Sequence, residues 1–326
     1  MPPPLVEVVA PSRLHFGMFS FGQPNARQFG GAGVMVNQPG LKLRIAAADS
    51  FSATGPLADR VYAIVDRLAG QWRMTELPAC RIEIVDAPPE HVGLGTGTQL
   101  ALALTAGLNA FRGGGPLDAR ALASLSGRGG RSAIGTYGFL HGGFLVESGK
   151  CPGETLSPLE FHAALPGEWR FVLTSLDGEH GLWGDAERRA FRDLPPVGLA
   201  TSDERRREVA RAMVPAVKAG EFERFSRSVY RFGREAGMCF SARQGSAFAS
   251  PRIAELVKAI RSGGVEGVGQ SSWGPTVFAL VENERTARRL AESIRGRLDR
   301  QDKVIIAAPN ASGARITRRS LTIMQQ

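Results

Sequence analysis

The sequence predicts a mixed α+β protein in two domains, and three observations carry that reading. Stretches of strict apolar alternation (Leu41, Leu43, Ile45; Cys80, Ile82, Ile84) are interleaved with stretches of helical spacing (Val61, Ile64, Val65, Leu68). A length of 326 residues exceeds what one core usually organises. An aperiodic stretch rich in proline and glycine, Cys151 to Gly167, separates two blocks that each carry both patterns. The expected domains are residues 1–155 and 165–326.

The elements follow in order. Leu5 to Ala10 is an apolar strand, and Ser-Arg-Leu-His-Phe-Gly follows it directly. Gly30-Gly31-Ala32-Gly33-Val34 reads as a glycine-lined return strand, and Leu41 to Ile45 as a half-buried one. Leu57 to Leu68 is an amphipathic helix, Cys80 to Val85 a strand, and Thr98 to Phe111, apolar almost all round, a buried helix. Leu117 to Leu125 is a short helix with Asp118 near its start, and Phe144 to Glu147 is a strand. In the second block Phe171 to Leu176 is a buried strand, and Gly178 to Gly184 is a glycine-rich loop carrying Trp183. Asp203 to Ala219 and Glu221 to Ala236 are consecutive helices split at Gly220, with Arg205, Arg206 and Arg207 expected on a solvated face. Ser250 and Pro251 cap a helix that runs to Arg261. A polar loop, Gly269 to Gly274, precedes a helix or strand at Thr276 to Phe278; a helix (Glu284 to Leu298) and a strand (Val304 to Ala308) close the block.

Composition limits the function classes. Hydrophobic residues form 43% of the chain, as in ordinary globular proteins, and no window reads as a targeting or membrane segment. Three cysteines, odd in number and far apart, fit a reducing compartment, so the cytoplasm is expected; they form no metal knuckle. The net charge is +9, and nearly all the basic residues are arginine. Arginine is the forked partner of phosphate and carboxylate, so a polyanionic ligand is one reading and a solvated arginine-biased surface the other.

Three glycine-rich runs concentrate the chemistry. In the first, Gly93, Gly95 and Gly97 alternate with Leu94, Thr96 and Thr98 between a strand and a helix start. Glycines let successive N–H groups converge, and the helix adds its unpaired N–H groups and positive dipole end, so the run suits an anion; a structural turn is the alternative. It is neither a P-loop nor a dinucleotide fingerprint, because no Lys-Ser or Lys-Thr follows and the spacing differs. In the second, Arg128, Gly130, Arg131 and Ser132 sit among further glycines, which suits phosphate better than packing. The third is Gln270, Ser271, Ser272 and Trp273. His15, His91 and His141 are each read either as bystanders or as acid/base or orienting groups.

Together these runs resemble the GHMP superfamily of small-molecule kinases, whose hallmark P-x-x-x-G-L-G-S-S-A is matched by Pro-Glu-His-Val-Gly-Leu-Gly-Thr-Gly-Thr-Gln from Pro89 to Gln99. The resemblance implies a ribosomal-protein-like N-terminal domain and a ferredoxin-like C-terminal domain. Within the superfamily, PSRLHFG, GLGTGTQLALAL, GRGGRSAIGTYGFLHGGFLVESG and GVGQSSWGPTVFA are similar to the β-ribofuranosylaminobenzene 5′-phosphate synthase family. That family condenses phosphoribosyl pyrophosphate with 4-aminobenzoate (or 4-hydroxybenzoate), releasing carbon dioxide and pyrophosphate, in tetrahydromethanopterin biosynthesis. The kinases mostly place a catalytic Asp in the segment corresponding to Gly127 to Gly138, where this chain has no carboxylate.

The resemblance implies that Gly93, Leu94, Gly95, Thr96, Gly97 and Thr98 take one anionic end of phosphoribosyl pyrophosphate, and Arg128, Gly130, Arg131 and Ser132 the other. Arg13, Gln270, Ser271, Ser272 and Trp273 are expected at the aromatic acid, with Trp273 stacking on its ring or packing in the core. His15 and His141 are the expected catalytic residues. No prosthetic group and no protein metal site are expected; magnesium is expected with the pyrophosphate. A homodimer is expected, with no nucleic acid and no membrane partner. The rivals are an ATP-dependent GHMP kinase and a basic nucleic-acid-binding protein, the latter disfavoured by the absence of a lysine-rich arm or interleaved aromatics.

Overall fold

A computed structural model describes residues 4–320 as two sheets that share a core. The first sheet is built on a long antiparallel hairpin, β1 (Pro4–Ser20) and β2 (Phe29–Ala47). The short strand expected at Leu5 to Ala10 thus continues through Ser20, and the two expected at Gly30 to Val34 and Leu41 to Ile45 are one long strand. Register shifts between Ala10 and Ser12 and between His15 and Gly17 bend β1, so Arg13 and His15 lie on one face between two bulges. β3 (Ser52–Thr54) and β4 (Cys80–Asp86) extend the sheet beyond β2, with α1 (Ala58–Gln71) between them.

Helix α2 (Thr96–Phe111) follows the first glycine run and is buried from Gln99 to Leu108, as its all-round apolar pattern requires. With α1 it packs on Val6, Val8, Leu43, Ile45 and Ile82. Burying side chains of this size stabilises by about 1.5–3 kcal/mol each. α3 (Ala119–Ser126) is capped by Asp118, whose side chain accepts from Ala121 N–H at 2.8 Å. α4 (Ile134–His141) then leads to β5 (Phe144–Glu147), which pairs with β2, and β6 (Leu159–Ala163), which pairs with β5.

The second sheet has the order β10-β7-β9-β8, with β7 Arg170–Ser175, β8 Gly267–Gln270, β9 Val277–Val281 and β10 Lys303–Ala307. A long helical excursion joins β7 to β8: α5 (Gly184–Asp193), α6 (Leu199–Glu208), a π-helical turn (Val209–Met213), α7 (Val214–Ala219), α8 (Phe222–Met238), α9 (Ser241–Gln244) and α10 (Pro251–Ser262). α11 (Glu284–Arg295) joins β9 to β10, giving the β-α-β-β-α-β order of a ferredoxin-like unit. Ser250 caps α10 as expected, accepting from Ile253 N–H at 3.3 Å.

Three expectations need correction. The stretch left between the expected domains carries β6 of the first sheet, and β11 (Arg315–Ser320) crosses back from the second block to pair antiparallel with β1. The helix α4 lies in a run read only as a glycine-rich loop. Of Arg205, Arg206 and Arg207 only Arg207 is exposed as expected: Arg205 is 1% exposed and Arg206 is half-buried. The Arg205 guanidinium donates to the carbonyls of Met18, Phe19 and Glu235 and to Cys239 Sγ, while Arg206 stacks on Phe19 and donates to Ser148 O. These contacts fasten the excursion to the end of β1. Phe16 and Phe19 of β1 meet Phe225, Phe232 and Phe278 in the core common to both sheets.

Candidate active site

The site forms where the second half of β1 runs past the reach of β11. The register places β11 beside Pro4 to Val9 only, so backbone groups from Arg13 onward need other partners. Two loops supply them. Arg13 N–H donates to Leu94 O at 2.9 Å; His15 N–H donates to Ser271 Oγ at 3.0 Å, and Ser272 N–H to His15 O at 3.2 Å. Ser271 Oγ in turn donates to Gly93 O at 2.7 Å, and Thr276 Oγ1 to Val92 O at 2.6 Å. The carbonyls of residues 92, 93 and 94 are therefore all held on the inner side.

Gly93 has φ +85°, and a Cβ there would lie 2.4 Å from Ser271 O, so only glycine fits the seam. Gly95, also left-handed, is the N-cap of α2, and no side chain caps that helix. Its first N–H groups and dipole end are left for an anion. Leu94 is buried, and Thr96 Oγ1 donates inward to Pro89 O at 2.9 Å. Thr98, half-buried in the first turn, is the hydroxyl of the pair that stays available.

Two arginines at this site have no carboxylate partner among the described residues. Arg13 lies against Gly95, with its Nε 3.1 Å from where a Cβ would sit. Burial pulls its pKa down to about 10 against the attraction of Glu187 and Glu147. Arg128 is likewise held at about 10, by burial first and by the charges of Arg60 and Arg67 next; its Nε is buried without a partner. Half-buried guanidinium groups without a carboxylate partner are costly, and an incoming anion relieves that cost. Arg60, from α1, pairs with Glu90 and lies 3.4 Å from the Cβ position of Gly97.

Arg131 differs from Arg128. It pairs with Glu187, which also accepts from Trp273 Nε1 at 3.1 Å, and it lies over the Phe191 ring. Gly130 is exposed, its carbonyl accepting from Lys150 Nζ at 3.3 Å. Ser132 Oγ donates to Glu147 Oε1 at 2.6 Å and lies 3.2 Å from His15 Nε2. His15 is 4% exposed, and burial, with Arg13 second, pushes its pKa down to about 3, so the ring is neutral.

The other expected residues separate into those the fold brings together and those it does not. His141 is not with His15: it is exposed at the far end of α4, its ring 5.6 Å from that of His162. Eight helical residues, roughly 10 Å, separate it from the Ser132 end. Gln270 is used structurally, accepting from Ala249 N–H and donating to Ser272 O. Trp273 is a core residue, packed on Phe240 and Phe191 with ring centroids 4.4 and 5.4 Å away. The cavity beside it and His15 is about 40 Å³, room for water rather than for a benzene ring, which occupies roughly 150 Å³ cavities.

The sequence reading did not single out Arg60, Glu90, Glu147 or Glu187, and it noted Trp183 only as the aromatic of a glycine-rich loop. Only Glu147 left a signal, a carboxylate closing the otherwise apolar strand Phe-Leu-Val-Glu, all four residues of which are buried. Trp183 is 57% exposed and stacks on His91 at 4.2 Å and 14°, immediately before the glycine run.

A converging loop, an uncapped helix start and two arginines without a carboxylate partner bring N–H donors and positive charge to one place. The GHMP kinases N terminal domain model matches residues 59–143 and the GHMP kinases C terminal model residues 213–300. The chain belongs to the GHMP kinase superfamily. A beta-ribofuranosylphenol 5'-phosphate synthase from Methanothermobacter thermautotrophicus is 29% identical, over 84% of this chain and 88% of that one. One from Archaeoglobus fulgidus is 28% identical, over 86% and 88%. Among solved structures, a homoserine kinase from Cytophaga hutchinsonii superposes with a TM-score of 0.66 at 16% identity, covering 96% of this chain and 97% of its own. A mevalonate diphosphate decarboxylase from Staphylococcus aureus gives 0.64 at 15%, covering 97% and 98%. A third structure, with 0.67 at 16% and coverage of 97% and 100%, contains magnesium. These structures share the fold.

Proposed function

We propose that the chain is a cytoplasmic decarboxylating phosphoribosyltransferase that joins phosphoribosyl pyrophosphate to 4-hydroxybenzoate, with 4-aminobenzoate as the alternative acid. The relatives are named for a phenol product, which favours the hydroxy acid. The observation that carries the reading is the pair of unpaired guanidinium groups, Arg13 and Arg128, at an uncapped helix N-terminus. One anionic end of the substrate lies on Gly95 to Thr98 with Arg13, the other on Arg128; Arg131 is the weaker donor because Glu187 already holds it.

Donors placed where charge develops favour departure of pyrophosphate from the anomeric carbon. The ring carbon bearing the carboxylate then bonds to that carbon. The bond to the carboxylate breaks, its electron pair returns to the ring, and carbon dioxide leaves. No proton is lost or gained overall, which suits a site whose carboxylates are all engaged: Glu90 by Arg60, Glu147 by Ser132, Glu187 by Arg131. A kinase would need one of them free as a base. Trp183 on His91 offers the rim an aromatic face for the acid.

Magnesium does not fit a site of the protein's own, since no cluster of three ligating side chains occurs among the described residues and the nearby carboxylates are occupied. It belongs with the diphosphate substrate, and no step is assigned to it. No helix is long and apolar enough to cross a membrane among the described residues. The homodimer remains part of the proposal; light scattering at twice the chain mass tests it. The activity is tested by release of labelled carbon dioxide from carboxyl-labelled 4-hydroxybenzoate. Release must require phosphoribosyl pyrophosphate; phosphorylation of an alcohol by ATP with no such release would establish the kinase instead.

A further inference from the structure

We propose that Glu147 is a positioning residue which, through Ser132, fixes the proton of His15 on Nε2 and leaves Nδ1 as an acceptor for a substrate hydroxyl. A serine hydroxyl has one hydrogen and two lone pairs. The hydrogen of Ser132 is directed to Glu147 Oε1 at 2.6 Å, and the other oxygen of Glu147 accepts from Ala133 N–H at 2.8 Å; burial raises the pKa of this carboxyl group, while these two hydrogen bonds favour the carboxylate that the relay uses. One lone pair of Ser132 receives Ile134 N–H at 3.3 Å. The remaining lone pair faces His15 Nε2 at 3.2 Å and can only accept, so that nitrogen carries the hydrogen.

The ring is neutral, because burial and Arg13 oppose its protonation, so a single tautomer follows. The Nε2 contact is the ring's one hydrogen bond among the described residues, and His15 lines the small cavity beside Trp273, so Nδ1 is the open end of the relay. Arg13 lies two residues along the same face of β1, at the glycine loop. A neutral acceptor beside a cation is suited to a ligand that is anionic and also carries a hydroxyl. Glu147 never touches that ligand: it is fully buried behind Ser132.

The substrate part of this inference rests on the proposed function, but the tautomer part does not. Glu147→Gln is the sharp perturbation. With its amide oxygen accepting from Ala133 N–H, its NH2 must donate to Ser132, whose hydrogen is then released toward His15. The relay reverses and Nδ1 becomes a donor.

Long-range proton–nitrogen correlation NMR on the labelled protein reads this directly, with the His15 signals assigned by their loss in His15→Gln. The wild type is expected to show a protonated Nε2 and a bare Nδ1, Glu147→Gln the opposite. A protonated Nδ1 in the wild type overturns the proposal, as does an unchanged tautomer in a folded Glu147→Gln. If that variant does not fold, Ser132→Ala serves: losing the fixed tautomer supports the relay, and keeping it refutes it.

Affinities for phosphoribosyl pyrophosphate and for 4-hydroxybenzoate, each measured alone by calorimetry, then identify the hydroxyl. Turning an acceptor into a donor should weaken one of them by roughly tenfold or more. Weakening of the first places a ribose hydroxyl on Nδ1; weakening of the second places the phenol there. A reversed tautomer with neither affinity changed refutes the recognition role.

Discussion

Arg128→Met should make the empty protein more stable and the enzyme worse. The side chain keeps its length and apolar contacts but loses a charge that no carboxylate pairs with and that only the field of Glu90 offsets. Holding a guanidinium at about 10 rather than in its usual, more alkaline range corresponds to about 3 kcal/mol of unfavourable self-energy. Arginine is a base whose folded-state value lies below its unfolded one, so that penalty is fully present below pH 10 and fades only above it. Some of it returns as lost contact with solvent, leaving a gain of about 1–3 kcal/mol and a melting temperature higher by about 2 °C or more. Against this, each charge-assisted hydrogen bond lost to a phosphate is worth about 1.5–3 kcal/mol, so KM for phosphoribosyl pyrophosphate should rise about 10–100-fold. The assays are a thermal melt without ligand and initial rates of carbon dioxide release. A variant that melts lower and keeps its KM would show that Arg128 is a structural residue and would remove the main support for the phosphate site.

Three further outcomes follow from other parts of the structure. Because His15 is held neutral down to about pH 3, the unfolded state alone takes up its proton as pH falls through 6.5; stability should drop by about 2 kcal/mol between pH 7 and pH 5. Urea unfolding at the two pH values checks this, and His15→Gln should remove that share of the loss. Arg205→Met should cost about 3 kcal/mol in denaturation, since one buried and two half-buried carbonyls lose their donor; a change under about 0.5 kcal/mol would return that arginine to the solvated face. Trp183→Ala should raise KM for the aromatic acid about 3–10-fold and leave KM for phosphoribosyl pyrophosphate and stability unchanged, whereas equal effects on both substrates would mean it shapes the glycine loop instead.

What could be read from the sequence was whatever is encoded locally. The alternation of Cys80, Ile82 and Ile84 and the spacing of Val61, Ile64, Val65 and Leu68 placed β4 and α1 to within a few residues, because each pattern needs only its own segment to bury one face. Helix α4 was not legible: its two glycines lower helix propensity, and burial of Ile134, Thr136 and Phe139 supplies what propensity lacks. Arg205 failed for the same kind of reason. Three consecutive arginines look identical whether exposed or buried, and the carbonyls that receive this one lie 30 or more residues away. At the site, the glycine run and its neighbours were visible as composition. The carboxylates that pair off Arg60 and Arg131, and the relay behind His15, arise only when separate elements meet.

The pairing of β11 with β1 has a consequence for how the protein is made. The strand that carries Arg13 and His15 is made long before its outer partner, which lies just over three hundred residues downstream of the residues it pairs with. At roughly 5–20 residues per second, translation leaves that edge waiting on the order of 15–60 seconds. Throughout that interval the apolar half of β1 is an unpaired edge open to neighbouring nascent chains. Substitutions in Arg315–Ser320 should therefore register first in the yield of soluble protein from the cell, before they register in the stability of molecules that have already closed.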